Sequence, residues 1–323
     1  MITDHCWTWA CLAIDDGHVK LSLRLSTVVV VLYALGYPVG ALAVQAMSPG
    51  LVLLVRFAVS APILLLLAAR RGVPWPRGAQ LGHVAVVGLL IQAVQFIGCY
   101  EALSLGMSPV LVALIISMNP VVTAALSRPM LGEQLDRRRV LALVLAVAAV
   151  LVAFAGRLGS AGSVGVGVVG VLIAVLGLSL GGVYQQRYVR GVDPIMSAGV
   201  GILASVPAAI VFAATRPMQV DRPAQAVWSM AAMIIFSSLL GMTFYLAALR
   251  RGGAGQVAML FAVIPSVSAV LSWVLVGDRP DAGVLGGLVL GAAACVLGRA
   301  RGATRPVTHA PERPCPGRLE SVR

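Results

Sequence analysis

The stretches SPVLVALIISMNPVVTAALSRPMLGE (residues 108–133) and GAGQVAMLFAVIPSVSAVLSWVLVGD (residues 253–278) decide how this chain folds. Laid one on the other, Pro120 meets Pro265 and Gly132-Glu133 meets Gly277-Asp278. The offset of 145 residues holds well beyond them. It sets Pro49 on Pro194, Pro62 on Pro207, Arg71 on Arg216, Tyr100 on Tyr245 and Asp136 on Asp281. Matched alanines and valines mean little in so apolar a chain, but prolines are only 18 of 323 residues. The chain is a tandem duplication, and that has to be recognised before any fold is assigned.

Composition says where the duplicated unit lives. Hydrophobic residues make up 59% of the chain and charged residues 11%, with a mean hydropathy of +0.95. A soluble domain carries about 25% charged residues, so this chain cannot clothe itself in water. Apolar runs of about 20 residues recur, the length that crosses a bilayer core as helix. The alternating segments of about ten residues that mark a membrane barrel are absent. The expected fold class is therefore an all-α polytopic membrane protein.

Ten transmembrane helices are expected, at 26–46, 51–69, 81–103, 108–130, 138–155, 164–186, 196–214, 226–249, 254–276 and 282–298. Ser48-Pro49-Gly50 and Gly252-Gly253 supply turn chemistry for helical hairpins. Each copy then holds five helices. An odd number obliges the second copy to start on the opposite side, which gives two inverted-topology five-helix repeats. The expected domains are a cytoplasmic N-terminal extension (1–25), the first repeat (26–156), the second repeat (163–298) and a disordered basic cytoplasmic tail (299–323).

Orientation follows from the basic residues. With the N-terminus inside, 18 of the 24 Lys and Arg fall on the inner side and four on the outer side, while Arg56 and Arg128 lie within spans. That bias sets the topology as N-in/C-in. It also accounts for the net charge of +12 without nucleic acid, since the arginines are spread over many short loops. The apolar patch from Cys6 to Ile14 lacks the preceding basic segment and following cleavage site of a signal peptide. One lysine against 23 arginines, with abundant Ala, Gly and Val, points to a GC-rich bacterial genome. The expected location is the cytoplasmic (inner) membrane of a bacterium.

Several motifs dissolve on inspection. Residues 165–170, GVGVVG, match the dinucleotide-binding pattern, but they open a membrane span and no acid follows until Asp193. Gly177/Gly181 and Gly283/Gly287/Gly291 have the spacing that lets membrane helices approach closely. The cysteines Cys6, Cys11, Cys99, Cys295 and Cys315 show neither a disulfide framework nor a metal site. His5, His18, His83 and His309 lie in termini or at a span edge. No catalytic grouping and no phosphate-binding Walker loop is visible. The chain reads as no enzyme, with no cofactor and no metal.

Polar groups inside the membrane are costly and so usually face a partner or a cavity. Arg56 and Glu101 lie near the outer ends of spans two and three at similar depth, and they are expected to pair or share a polar pocket. Glu101 reads either as a group for proton coupling or amine binding, or as an interfacial carboxylate reaching headgroups. Gln92, Gln95, Asn119, Gln185 and Gln256 supply uncharged hydrogen-bonding groups, with Gln92 and Gln95 on one helix face. Pro120 and Pro265 fall near the midplane, and each frees a carbonyl one turn back. They read either as structural kinks or as hinges beside a substrate site between the repeats.

These residues carry a resemblance. Leu54-Val-Arg-Phe57, Tyr100-Glu-Ala-Leu103, Asn119-Pro120 and Leu131-Gly-Glu133, with Tyr245-Leu-Ala-Ala-Leu249, Ile264-Pro265 and Val276-Gly-Asp278, are similar to the EamA-type branch of the drug/metabolite transporter superfamily. The likeness covers about residues 26–298. It departs at Asp278, where the family usually shows Glu, and at Arg128-Pro129, where the family is apolar. The resemblance implies a secondary transporter exporting or exchanging a small, amino-acid-like metabolite by alternating access, through a cavity lined mainly by spans 1, 3, 4, 6, 8 and 9. Drug or toxic-cation efflux, or a non-transporting membrane scaffold, are the alternatives. The expected partners are a small-molecule substrate and the lipid bilayer, with protons as a candidate coupling ion. Monomer and homodimer stay open.

Overall fold

The structure is a computed structural model, and it describes residues 21–131, 137–155, 161–189, 191–215, 217–261, 263–277, 279 and 282–298. The extension up to residue 20, the tail from 299, and Glu133, Asp136, Asp278 and Asp281 of the repeat motifs lie outside these residues.

The first copy comprises α1 (Leu23–Ala46), α2 (Pro49–Arg70), α3 (Ala79–Gly88), a π-helical stretch (Leu89–Val94), α4 (Gln95–Ser104), α5 (Pro109–Ile116), α6 (Asn119–Leu131) and α7 (Arg137–Ala155). The second comprises α8 (Ala161–Tyr188), α9 (Pro194–Ala214), α10 (Pro223–Ala232), a π-helical stretch (Met233–Gly241), α11 (Met242–Phe261), α12 (Ile264–Val276) and α13 (Ala282–Gly298). No strand occurs among the described residues beyond a single antiparallel bridge between Met47 and Val220. Among the described residues, seven helical runs are long and apolar enough to cross a bilayer.

Local chemistry sets the boundaries. Ser22 caps α1 by accepting from Leu25 N, and the Asp193 carboxylate accepts from Ile195 N to cap α9. Prolines open α2, α5, α9 and α10, where a missing N–H costs nothing. Gly253 bends α11 with φ 71°, a left-handed conformation that suits glycine. The Oε1 of Gln186 accepts from Ala254 N just past that bend, at 2.7 Å.

The duplication is visible in the backbone. α2 and α9, α6 and α12, and α7 and α13 start at positions 145 residues apart, and α6 and α12 also end so. The break before each midplane proline is the same. Met118 N bonds Ile115 O and Val121 N bonds Met118 O, and 145 residues on Val263 N bonds Leu260 O and Ser266 N bonds Val263 O. A proline ring clashes with the carbonyl one turn back, so the helix tightens to three-residue bonds and restarts. The expected spans at 108–130 and 254–276 are therefore each divided. Shifted by 145 residues, the first π-helical stretch falls within the second, and sequence pattern does not announce either.

Packing repeats as well. The most extensive helix pairs are α7 with α13 and α2 with α9, both between equivalent elements. α1 packs on α12 as α8 packs on α6. Small residues permit these approaches. A Cβ at Gly50 would lie 2.5 Å from Ala213 Cα, and one at Gly199 would lie 2.9 Å from Leu65 Cδ2. Gly177 and Gly181 face Val94 and Ile91 of the first π-helical stretch, so that glycine pair serves packing within the chain.

Candidate functional site

A buried guanidinium joins the two copies. Arg56 on α2 is wholly buried. Its Nε donates to Ser238 Oγ (2.7 Å), its Nη1 to Tyr100 Oη (2.7 Å) and its Nη2 to Ser237 Oγ (2.9 Å). The guanidinium carbon lies 3.9 Å from the centre of the Phe96 ring, a cation–π contact. Tyr100 and Phe96 come from α4 of the first copy, while both serines come from the π-helical stretch of the second. The i→i+5 turn of a π-helix is wider than an α turn, and such turns recur at functional sites. Here it presents two successive hydroxyls to one planar fork of donors.

Beside this clamp is a cavity of ≈ 20 Å³, lined by Tyr33, Gly36 and Tyr37 of α1, Gln95, Phe96, Cys99, Tyr100 and Leu103 of α4, and Ser237. That volume is about what one water needs, so admitting a metabolite requires the lining helices to part. Two polar atoms in the wall, Tyr37 Oη and Gln95 Oε1, have no hydrogen-bond partner although both residues are buried. Tyr33 continues the wall into an aromatic cluster, with ring centres 5.3 Å from Tyr245 and 5.2 Å from Phe261.

The sequence-predicted residues separate into groups. Gln95 lines the cavity, and Gln92 lies one turn earlier in the π-helical stretch, buried, with both amide atoms unpartnered. It is Tyr100 that meets the Arg56 guanidinium in these hydrogen bonds; the next residue, Glu101, is half-buried on the adjoining face of α4. Asn119 sits elsewhere: its Oδ1 accepts from Ser179 Oγ (2.6 Å) and Thr123 Oγ1 (3.0 Å), tying α6 to α8. Gln185 is buried on α8, with its Oε1 unpartnered. Gln256 is exposed on α11 beyond the Gly253 bend. Pro120 and Pro265 are each the second residue of their helix.

Sequence reading missed Ser237, Ser238, Phe96, Tyr33 and Tyr37. It also missed a cluster between α3 and α8, where His83 Nδ1 lies 2.8 Å from Tyr184 Oη and the ring stacks on Tyr188 at 5.1 Å. The one usable signal was the Tyr100–Tyr245 repeat match, since both tyrosines turn out to be buried beside this site.

The family model for EamA-like transporters matches residues 22–155 and again 165–298. The chain belongs to the EamA-like transporter family. It is 25% identical over 229 residues to YyaM, an uncharacterized transporter of Bacillus subtilis (strain 168), covering 68% of this chain and 74% of that protein. A crystal structure of another protein, 17% identical, superposes with a TM-score of 0.65 over 85% of this chain and 95% of its own, a likeness of fold alone. With seven membrane-length apolar helices, this EamA-like chain is a multi-pass membrane protein with a two-repeat architecture.

Proposed function

We propose that this chain is a secondary transporter that moves a small, amino-acid-like metabolite outward across the cytoplasmic membrane of a bacterium by alternating access. The observation that carries the reading is the cavity between α1, α4 and the second π-helical stretch, which is walled by both copies and has room for about one water in this conformation. A site at the boundary of two repeats is where rocking one against the other opens it to alternate sides.

The proposed architecture has ten spans, N-in/C-in, in two inverted repeats. In its support, α2 and α9 are equivalent helices that pair antiparallel: the partner number falls from Ala213 to Gly199 as the α2 residue rises from Gly50 to Leu65. The inside assignment rests on the arginine bias. It is supported by Leu21 meeting Gly252 and Gln186 meeting Ala254 at one end, beside Arg187, Arg250 and Arg251. Met47 meets Val220 at the other end, between the arginine-free turn after α1 and the loop that carries Arg222.

Counterflow in proteoliposomes tests the function. Vesicles loaded with an unlabelled metabolite should accumulate the labelled one transiently, with saturation and without ATP. Absence of saturable movement for every amino acid and organic acid tried would overturn the reading.

A further inference from the structure

We propose that the cavity beside Arg56 takes an organic monocarboxylate with a compact apolar or aromatic body, and that it rejects cations. The inference narrows the cargo of the transporter reading and rests on it only for delivery, since binding can be measured without transport.

Charge comes first. Arg56 carries a guanidinium charge and is wholly buried, and its described hydrogen bonds go to three neutral hydroxyls. Two of those hydroxyls, on Tyr100 and Ser237, belong to the cavity wall, as does Phe96, whose face carries the guanidinium at 3.9 Å. The positive charge therefore stands directly behind the wall in a low-dielectric setting. A unit charge about 6 Å from it gains or loses on the order of 100-fold in affinity at an effective dielectric of about 20. Aromatic walls can also hold a cation, but here the Phe96 face is already taken by one, and a second would be repelled.

Hydrogen-bonding capacity comes next. Arg56 stands behind the lining residues and acts through its charge, so the hydrogen bonds to a ligand come from the wall itself. Tyr37, 7% exposed, and Gln95, 1% exposed, both line the cavity with a polar atom lacking a partner. A buried polar atom left unmade is costly, and a ligand would relieve it. The Tyr37 hydroxyl can donate to a carboxylate oxygen, and the Gln95 amide can turn either end inward. The remaining wall, from Tyr33, Cys99 and Leu103, suits an apolar body.

The test uses the full chain in detergent and three probes that share a skeleton: phenylacetate, phenylacetamide and phenethylammonium. Titration calorimetry should give phenylacetate an affinity at least about tenfold above phenylacetamide, with phenethylammonium the weakest. In Arg56→Gln the first two should converge. Equal affinities, a preference for the ammonium, no saturable phenylacetate binding, or an unchanged preference in R56Q would each overturn the proposal. The wild-type series decides the sign even if R56Q does not fold. Carboxylate-selective binding with no saturable flux of phenylacetate or of any amino or organic acid in proteoliposomes would sink the transporter reading and leave this site standing.

Discussion

Arg56 and Gly201 hold equivalent positions 145 residues apart, and they meet the opposite copy in contrary ways. Arg56 spans the gap from α2 to Ser237 and Ser238 with a long side chain. Gly201 on α9 leaves no gap: a Cβ at Gly88, just before the first π-helical stretch, would lie 2.2 Å from Gly201 Cα. One side of the pseudo-symmetric pair is propped open by a charge, and the other is closed by two bare backbones.

The closed side should be intolerant of volume. In Gly88→Ala the new methyl meets backbone, which cannot rotate away, and overpacking of this kind costs about 1–3 kcal/mol. Thermal unfolding in detergent should show a clear drop in midpoint. Gly82→Ala on the same helix, where nothing lies within 4 Å, is the control and should match or slightly exceed wild type. Equal midpoints for the two variants would mean that the close approach at Gly201 is not maintained.

The propped side should show an inversion of the usual order. Removing Arg56 also removes the desolvation cost of a buried charge, so Arg56→Gln should change stability by no more than about 1 kcal/mol in either direction. Removing its acceptors leaves the charge stranded. Ser237→Ala with Ser238→Ala should therefore be the more damaging change, at about 1.5–3 kcal/mol for each charged hydrogen bond. Unfolding midpoints for the three proteins decide it. A double serine variant as stable as wild type would refute the clamp.

Asn119 offers a prediction of a different kind, because the structure gives its side chain bonding partners away from the cavity. Asn119→Ala removes the side-chain acceptor of Thr123 Oγ1 and of Ser179 Oγ, leaving Ser179 only its longer 3.4 Å bond to the Asn119 carbonyl. Side-chain hydrogen bonds between membrane helices average about 0.6 kcal/mol and reach about 1.7. A double-mutant cycle with Ser179→Ala should recover coupling in that range, while phenylacetate affinity stays at its wild-type value. Loss of binding without coupling would return Asn119 to the substrate site.

What could be read from the chain alone follows from how local each cause is. Pro49, Pro109, Pro194 and Gly253 mark boundaries through their own backbone restrictions, so helix limits were legible within a few residues. The duplication was legible because Pro120 and Pro265 carry the same backbone consequence twice. The clamp was not, since Ser237 and Ser238 lie 181 and 182 residues from Arg56 and are ordinary membrane-helix residues until a wider turn aims them. The π-helical stretches themselves depend on contacts such as Ile91 against Gly181, which no local pattern states. Polarity alone selected Gln95, which lines the cavity, and Gln256, which is exposed, with equal force.

The matched breaks before Pro120 and Pro265 lead to a prediction about motion. Each proline lacks the N–H that would carry the helix through, so Met118 and Val121, like Val263 and Ser266, bond three residues back before four-residue bonds resume at Val122 and Val267. Pro120→Ala and Pro265→Ala restore a donor and remove the ring clash, so each should stabilise the static helix or leave it unchanged. If the breaks serve as hinges, counterflow should fall severalfold in both variants while phenylacetate affinity is kept. A loss confined to one variant would mean that only that copy flexes. Unchanged counterflow in both would reduce the prolines to structural kinks. Because α6 packs on α8 as α12 packs on α1, the two substitutions act on equivalent joints, and the double variant should show little further loss once either joint is stiff.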